Sequence, residues 1–175
     1  MSRKREDLLV HAEKLFYEHG FHAIGLKAIV QDAGVALMTL YNHFDSKEDL
    51  ILEILNRREK MYFSMLKDAI RKEEGSIEQK LASGHIQWLK TSASNGCMFL
   101  RAKEEFSSTP DHPLVKSVYS HKEKMIQFFE SNHMSRSAAV QLALILEGST
   151  SLAETLNVQE IEKTLYAMVE NIKNS

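Results

Sequence analysis

Apolar residues recur every three or four positions along almost the whole chain. Leu8, Ala12, Leu15 and Phe16, with Leu9 beside them, mark a first amphipathic helix. It ends at His19-Gly20, where glycine can take the left-handed C-terminal position. Leu26, Ile29, Val30 and Ala33 line one side of a second, short helix. Gly34 breaks it, and Val35, Leu40 and Phe44 anchor a third helix over 35–44. Ser46 and Asp49 have capping-box spacing and open a fourth. Its stripe runs from Leu50, Ile51, Ile54 and Leu55 through Met61 to Ile70 and ends near Lys72, roughly 40 Å at 1.5 Å per residue. Ser76 and Gln79 cap a fifth helix that bears Ile77, Leu81, His85, Trp88 and Leu89. Beyond Asn95-Gly96, Met98 to Phe106 reads as a sixth. Pro110 and Pro113 bracket the start of a seventh, which carries Leu114, Val118, His121, Met125 and Phe128 to about Asn132. An eighth spans about Ser135 to Leu156, and a ninth, capped by Asn157 with Glu160, spans Val158 to Ile172. No stretch alternates with strand period, so the pattern predicts an all-α fold of nine helices.

Composition supports a packed core, since 43% of the 175 residues are hydrophobic. The single cysteine, Cys97, cannot close an internal disulfide, which fits a reducing compartment. Neither an export signal nor a run of 18 apolar residues is present, so no membrane association is expected and the expected location is the cytoplasm. A net charge of −2 gives no global sign of a nucleic-acid partner. The first 60 residues hold nine bases against ten acids, so any phosphate-binding surface must be local. Arg3-Lys4-Arg5 is one such cluster; a solvated terminus is its alternative reading.

The third helix, within "VALMTLYNHF", carries more polar reach than a buried helix needs. Two short helices separated by Gly34, about residues 25–44, match a helix-turn-helix whose second helix enters the major groove. Leu26, Ile29, Val30, Val35, Leu40 and Phe44 can pin the pair at a fixed angle. Leu37, Met38, Thr39, Tyr41, Asn42 and His43 then lie on the outward face and its flanks. The Thr39 and Tyr41 hydroxyls and the His43 ring can donate to phosphate oxygens. Asn42 can pair with an adenine edge, and Leu37 and Met38 can meet a thymine methyl. Lys27 joins this set, and Lys47 adds charge beside the backbone N–H groups that open the fourth helix. The competing reading is a small helical subdomain with a decorated surface.

Residues 8–50 resemble the N-terminal domain of the tetracycline-repressor (TetR) family of transcription regulators. The resemblance rests on Ala12, Leu15-Phe16, Gly20-Phe21, Ile29, Ala33-Gly34-Val35, Thr39-Leu40-Tyr41, His43-Phe44 and Ser46-Lys47-Glu48. It implies a homodimeric, nine-helix repressor, released from a palindromic double-stranded DNA operator by a small-molecule effector. An N-terminal DNA-binding domain over 1–48 and an effector-binding and dimerisation domain over 49–175 follow from it. Three departures stand out. Ile24-Gly25 and Ala36 occupy places where the family usually has Ser or Thr, and Val30 replaces a usual alanine.

Beyond residue 50 the resemblance rests on architecture. Leu142-Ala143-Leu144-Ile145-Leu146 covers the whole circumference of the eighth helix, which therefore needs burial on two sides. One side can face the core and the other a second chain. Leu142, Ile145, Leu146, Ile161, Leu165 and Met168 are the candidates for that dimer interface, with a wholly internal core helix as the alternative. Candidate effector-lining residues are Met61, Met65, His85, Trp88, Met98, Phe99, Phe106, His121 and Met125, methionine being adaptable to varied apolar ligands. Plain core packing accounts for them equally simply. Glu105 can orient a cationic ligand or be solvated, and Cys97 reads as inert packing. The eight histidines show no zinc spacing, so no metal and no cofactor are expected. Without GxSxG, a phosphate-cradling loop or a paired-carboxylate motif, the chain does not read as an enzyme.

Overall fold

A computed structural model describes residues 3–93 and 95–172, so the outermost residues of both expected domains, 1–2 and 173–175, lie outside the described residues. Among the described residues there are nine helices and no strand: α1 (Arg3–His19), α2 (Leu26–Asp32), α3 (Leu37–Tyr41), α4 (Lys47–Lys72), α5 (Ile77–Ser92), α6 (Met98–Phe106), α7 (Pro113–Glu130), α8 (Arg136–Leu152) and α9 (Val158–Val169). The all-α reading holds. No helix among them is long and apolar enough to cross a membrane.

Helix ends follow their capping chemistry. Ser76 accepts the Gln79 N–H at 3.3 Å while the Gln79 side chain accepts the Ser76 N–H at 3.0 Å, a complete capping box. Ser46 Oγ accepts the Asp49 N–H at 3.0 Å, but Asp49 reaches one residue further back, to the Asp45 N–H. Asn157 caps α9 through the Gln159 N–H at 2.8 Å. Helix α3 is shorter than its expected span over 35–44. Ala36 is extended and acts as its N-cap without a side-chain bond, and Asn42–Phe44 finish in a turn. Helices α8 and α9 also stop earlier than expected, at Leu152 and Val169.

The chain forms two compact units. One comprises residues up to Arg58 together with Met98–Val118; the other comprises Glu59–Cys97 together with residues from Tyr119 onward. Packing thus groups α6 and the first turn of α7 with the N-terminal helices, which a linear division at residue 48 does not anticipate. In the first unit, Leu8, Leu9, Ala12 and Phe16 of α1 are buried, as are Phe21, Ile29, Leu40, Phe44 and, on α4, Leu50, Ile51, Ile54 and Leu55. Phe16, Phe21 and Phe106 pack in series with tilted rings, their centroids 5.3 and 6.0 Å apart. Each such ring contributes roughly 1.5–3 kcal/mol by leaving water. Three ion pairs join α1 to α4: Arg5 with Glu53, Glu6 with Arg57, and Glu13 with the buried Arg58.

The second unit has its own core, in which Leu66, Leu81, Trp88, Leu89, Phe129, Leu142, Leu146, Ile161 and Leu165 are all buried. Helix α9 packs on α5 and α8. Helix α5 crosses α4 closely at Gly84, where an added Cβ would lie 3.0 Å from the Leu66 Cα.

Candidate nucleic-acid interface

Gly34 sets the geometry of the α2–α3 turn. Its φ of +64° lies in the left-handed region, which glycine enters without steric cost. The turn closes through the Val35 N–H to the Val30 carbonyl at 3.0 Å. Ile29, Val30, Leu40 and Phe44 are buried beneath it, so the inner faces of both helices are fixed. Five residues cannot form a stable helix alone, so α3 depends on this packing.

The expected DNA-facing side chains gather on the opposite side. Met38 is 68% exposed and Tyr41 48%; Lys27 and Asn42 are exposed, and Leu37, Thr39 and His43 are half-buried. The side chains of Thr39, Tyr41, Asn42 and His43 make no hydrogen bond within the described residues, so their donors and acceptors are available to a ligand. Lys47 differs. It is half-buried, with its ammonium 5.8 Å from the Phe16 ring centroid. Burial lowers its pKa, against the opposing fields of Glu48 and Glu105. Because Asp49 N–H is already capped by Ser46, the start of α4 offers fewer free N–H groups to a phosphate than the sequence suggests. Arg5 is also less free than the Arg3-Lys4-Arg5 cluster implies, since it pairs with Glu53 and lies over Phe44; Arg3 and Lys4 remain exposed.

Two functional residues escape sequence reasoning. Arg101 donates to the Tyr17 and Phe16 carbonyls at 2.6 and 3.3 Å, capping the C-terminal end of α1. The Glu105 carboxylate accepts the N–H groups of Phe21 and His22 at 2.9 and 2.5 Å, and His22 Nε2–H donates to the Glu105 carbonyl at 2.7 Å. Both Glu105 carboxylate oxygens are therefore engaged by main-chain N–H groups. The carboxylate holds the α1–α2 turn. Gly20 is required there, with φ +87° and a would-be Cβ 2.9 Å from Glu105 Oε1. Partners more than 80 residues apart leave no local signal, and helix α6 shows only an ordinary amphipathic stripe.

The expected effector-lining residues divide between the units. Met98, Phe99 and Phe106 are buried in the first. In the second, His85, Trp88, His121 and Met125 are buried, Met65 is half-buried and Met61 turns outward. Tyr62 lies at the centre of this group, with ring centroids of His85, Trp88 and His121 5.8, 5.5 and 6.4 Å away. Both imidazoles already have partners: His85 has Tyr62 and Ser149, and His121 has Glu59 at 2.9 Å. Among the described residues, no group of three or more acidic, histidine or cysteine side chains is placed to hold a metal.

Of the six residues expected at a dimer face, Ile145, Ile161, Leu165 and Met168 line the outward side of α8 and α9. Leu142 and Leu146 have no exposed surface, and Ile161 and Leu165 are buried in the same core. Ile145 and Met168 are the most exposed of the expected six. The exposed apolar residues on this side are Leu144 (70% exposed), Leu152, Leu156 and Met168. With Ile145 and Gly148 they line a groove of about 360 Å³ along α8 and α9.

The family model of the bacterial regulatory proteins of the tetR family matches residues 8–54, the stretch that holds this turn and its supporting helices. Over these residues the chain is similar to the TetR family. The transcriptional activator FasR of Mycolicibacterium smegmatis is 38% identical over 68 residues, 39% of this chain and 31% of FasR. The repressor KstR2 of Rhodococcus jostii is 44% identical over 54 residues, 31% of this chain and 26% of KstR2. These sequence matches thus span less than a third of each relative. A TetR-family regulator from Streptomyces coelicolor shares the fold with a TM-score of 0.85 and 24% identity, over 97% of this chain and 93% of that one.

Proposed function

We propose that this chain is a DNA-binding transcriptional regulator of the TetR family: a homodimeric repressor that leaves a palindromic operator when a small, largely apolar effector binds. The observation that carries the reading is the α2–Gly34–α3 turn. Its inner faces are buried while Met38, Thr39, Tyr41 and Asn42 stand outward with unused hydrogen-bonding capacity. In this reading Tyr41, Thr39 and His43 set the register on phosphates, Asn42 and Met38 meet base edges, and Lys27 and Lys47 add positive charge. Alanine at both Tyr41 and His43 should sharply reduce retention on a DNA column. Unchanged retention would reject the interface.

A second copy docks, in this proposal, on the α8–α9 groove, giving two reading heads related by a two-fold axis. An effector held by the second unit tilts α4, which runs without a break from Lys47 to Lys72. The separation of the two heads then no longer fits the half-sites, a coupling typically worth about 1–3 kcal/mol. Activation is the alternative sign of regulation, as one relative is named an activator and another a repressor. No turnover is expected in a screen against esters and thioesters.

A further inference from the structure

Buried polar side chains of the second unit form one ordered run. Tyr62 Oη lies 3.0 Å from Nδ1 of His85, and Nε2 of the same ring lies 2.9 Å from Ser149 Oγ. The last link fixes the order of the protons. Ser149 Oγ is 2.7 Å from the Leu146 carbonyl, which can only accept, so the hydroxyl donates there. Its oxygen then accepts from His85 Nε2–H, which leaves Nδ1 bare. Tyr62 must donate to it. Thr150 adds a second hydroxyl to the same carbonyl at 3.0 Å. Burial, reinforced by the Lys122 charge, lowers the His85 pKa to about 3, so the neutral ring and this order persist across the working range.

The run joins three helices: Tyr62 on α4, His85 on α5 and Ser149 on α8. Apolar residues of similar shape would serve stability about as well, because a satisfied buried hydrogen bond adds little net free energy. What directed bonds add is a single permitted alignment, where greasy surfaces can slide. Ser149 also forms part of the wall of the outward α8–α9 groove. Helix α4, at the other end of the run, continues back to Lys47 in the first unit.

We propose that His85 is a positioning residue for operator binding: it locks α4 to α8, so the long helix keeps a fixed alignment to the face on which the second copy docks. The inference rests on the dimeric, operator-binding reading above. The probes are a full-site duplex selected by the wild-type chain from a random pool and a duplex carrying one half-site. Tyr62→Phe and Ser149→Ala should each weaken full-site binding about 5- to 10-fold, at the low end of allosteric couplings. Half-site binding should stay as in the wild type for both, and the dimer equilibrium should stay so for Tyr62→Phe, whose residue is not part of the groove. In His85→Gln, the amide oxygen and nitrogen can replace the two ring nitrogens and should restore full-site binding, whereas His85→Phe should not. Three results would overturn the proposal: variants that change thermal stability alone, full-site and half-site affinities that fall together, or a ¹⁵N spectrum that puts the ring proton on Nδ1. A wild-type chain that selects no duplex would instead reject the operator-binding reading itself.

Discussion

Helices α3 and α5 both carry more polar reach than their packing needs, and they hold it in opposite ways. The side chains of Tyr41 on α3 and of Asn42, its C-cap, point outward and make no hydrogen bond within the described residues. On α5, His85 is 3% exposed and has partners on both ring nitrogens. A group with open hydrogen-bonding capacity at the surface costs the folded chain little and is available to a ligand. A satisfied group in the core fixes how helices align and offers a ligand nothing without rearrangement. The two kinds should respond oppositely to substitution.

The largest effect is expected in the core of the first unit. Phe16 is fully buried and touches Phe21 and Lys47, so Phe16→Ala should destabilise by about 3–5 kcal/mol in urea titration. If the loss is under about 1 kcal/mol, α3 does not depend on this floor. Acid should come next, acting on the inward groups alone. Burial, with the Lys122 charge, pushes His121 down to about 4 from an ordinary 6.5, despite its bond to Glu59. The unfolded chain therefore takes up that proton first. Stability should be full above about pH 6.5 and fall toward about pH 4, by on the order of 3 kcal/mol for His121. Glu59 acts in the same direction. Burial raises its pKa, but hydrogen bonds from Lys124 and His121 outweigh this and hold it below its ordinary value. Its contribution is present above the ordinary carboxylate range and lost below it. A urea midpoint that stays constant between about pH 7 and about pH 4.5 would contradict this.

Smaller effects test the outward face. Ala36 already has the extended backbone of an N-cap, so Ala36→Ser should stabilise α3 by about 1 kcal/mol through the N–H of Met38 or Thr39. Smallest of all, Asn42→Ala should shift thermal stability by no more than about 0.5 kcal/mol while relaxing base preference at one position of the site. A large stability loss at Asn42 would mean that α3 is built like α5.

The same contrast explains what could be read from the chain. All nine helices were legible, because stripes such as Leu50–Ile54–Leu55 and caps such as Ser76–Gln79 are local. The α2–α3 turn was legible for the same reason, with Gly34 between two short apolar sets. The orientation of α8 was not. Five consecutive apolar residues, 142–146, carry no polar mark to show which side faces inward, and packing placed Leu142 and Leu146 in the core and Leu144 outside. Nor were Arg101 and Glu105 legible as supports of the α1–α2 turn, since their partners are backbone groups of a distant helix end. Hydrogen bonds to main chain leave no residue type to recognise. The shortness of α3 has a similar origin: Ala36 lacks a capping side chain, and the backbone, not the side-chain pattern, decides where the helix begins.

The most direct test of the reading helix is selection of bound duplexes from a random-sequence pool by the purified chain, at low and then rising salt. The expected result is an inverted repeat whose half-site centres lie roughly 34–36 Å or a multiple of that apart. Enrichment of no sequence at all, or of a single unrepeated site bound by one copy, would contradict it.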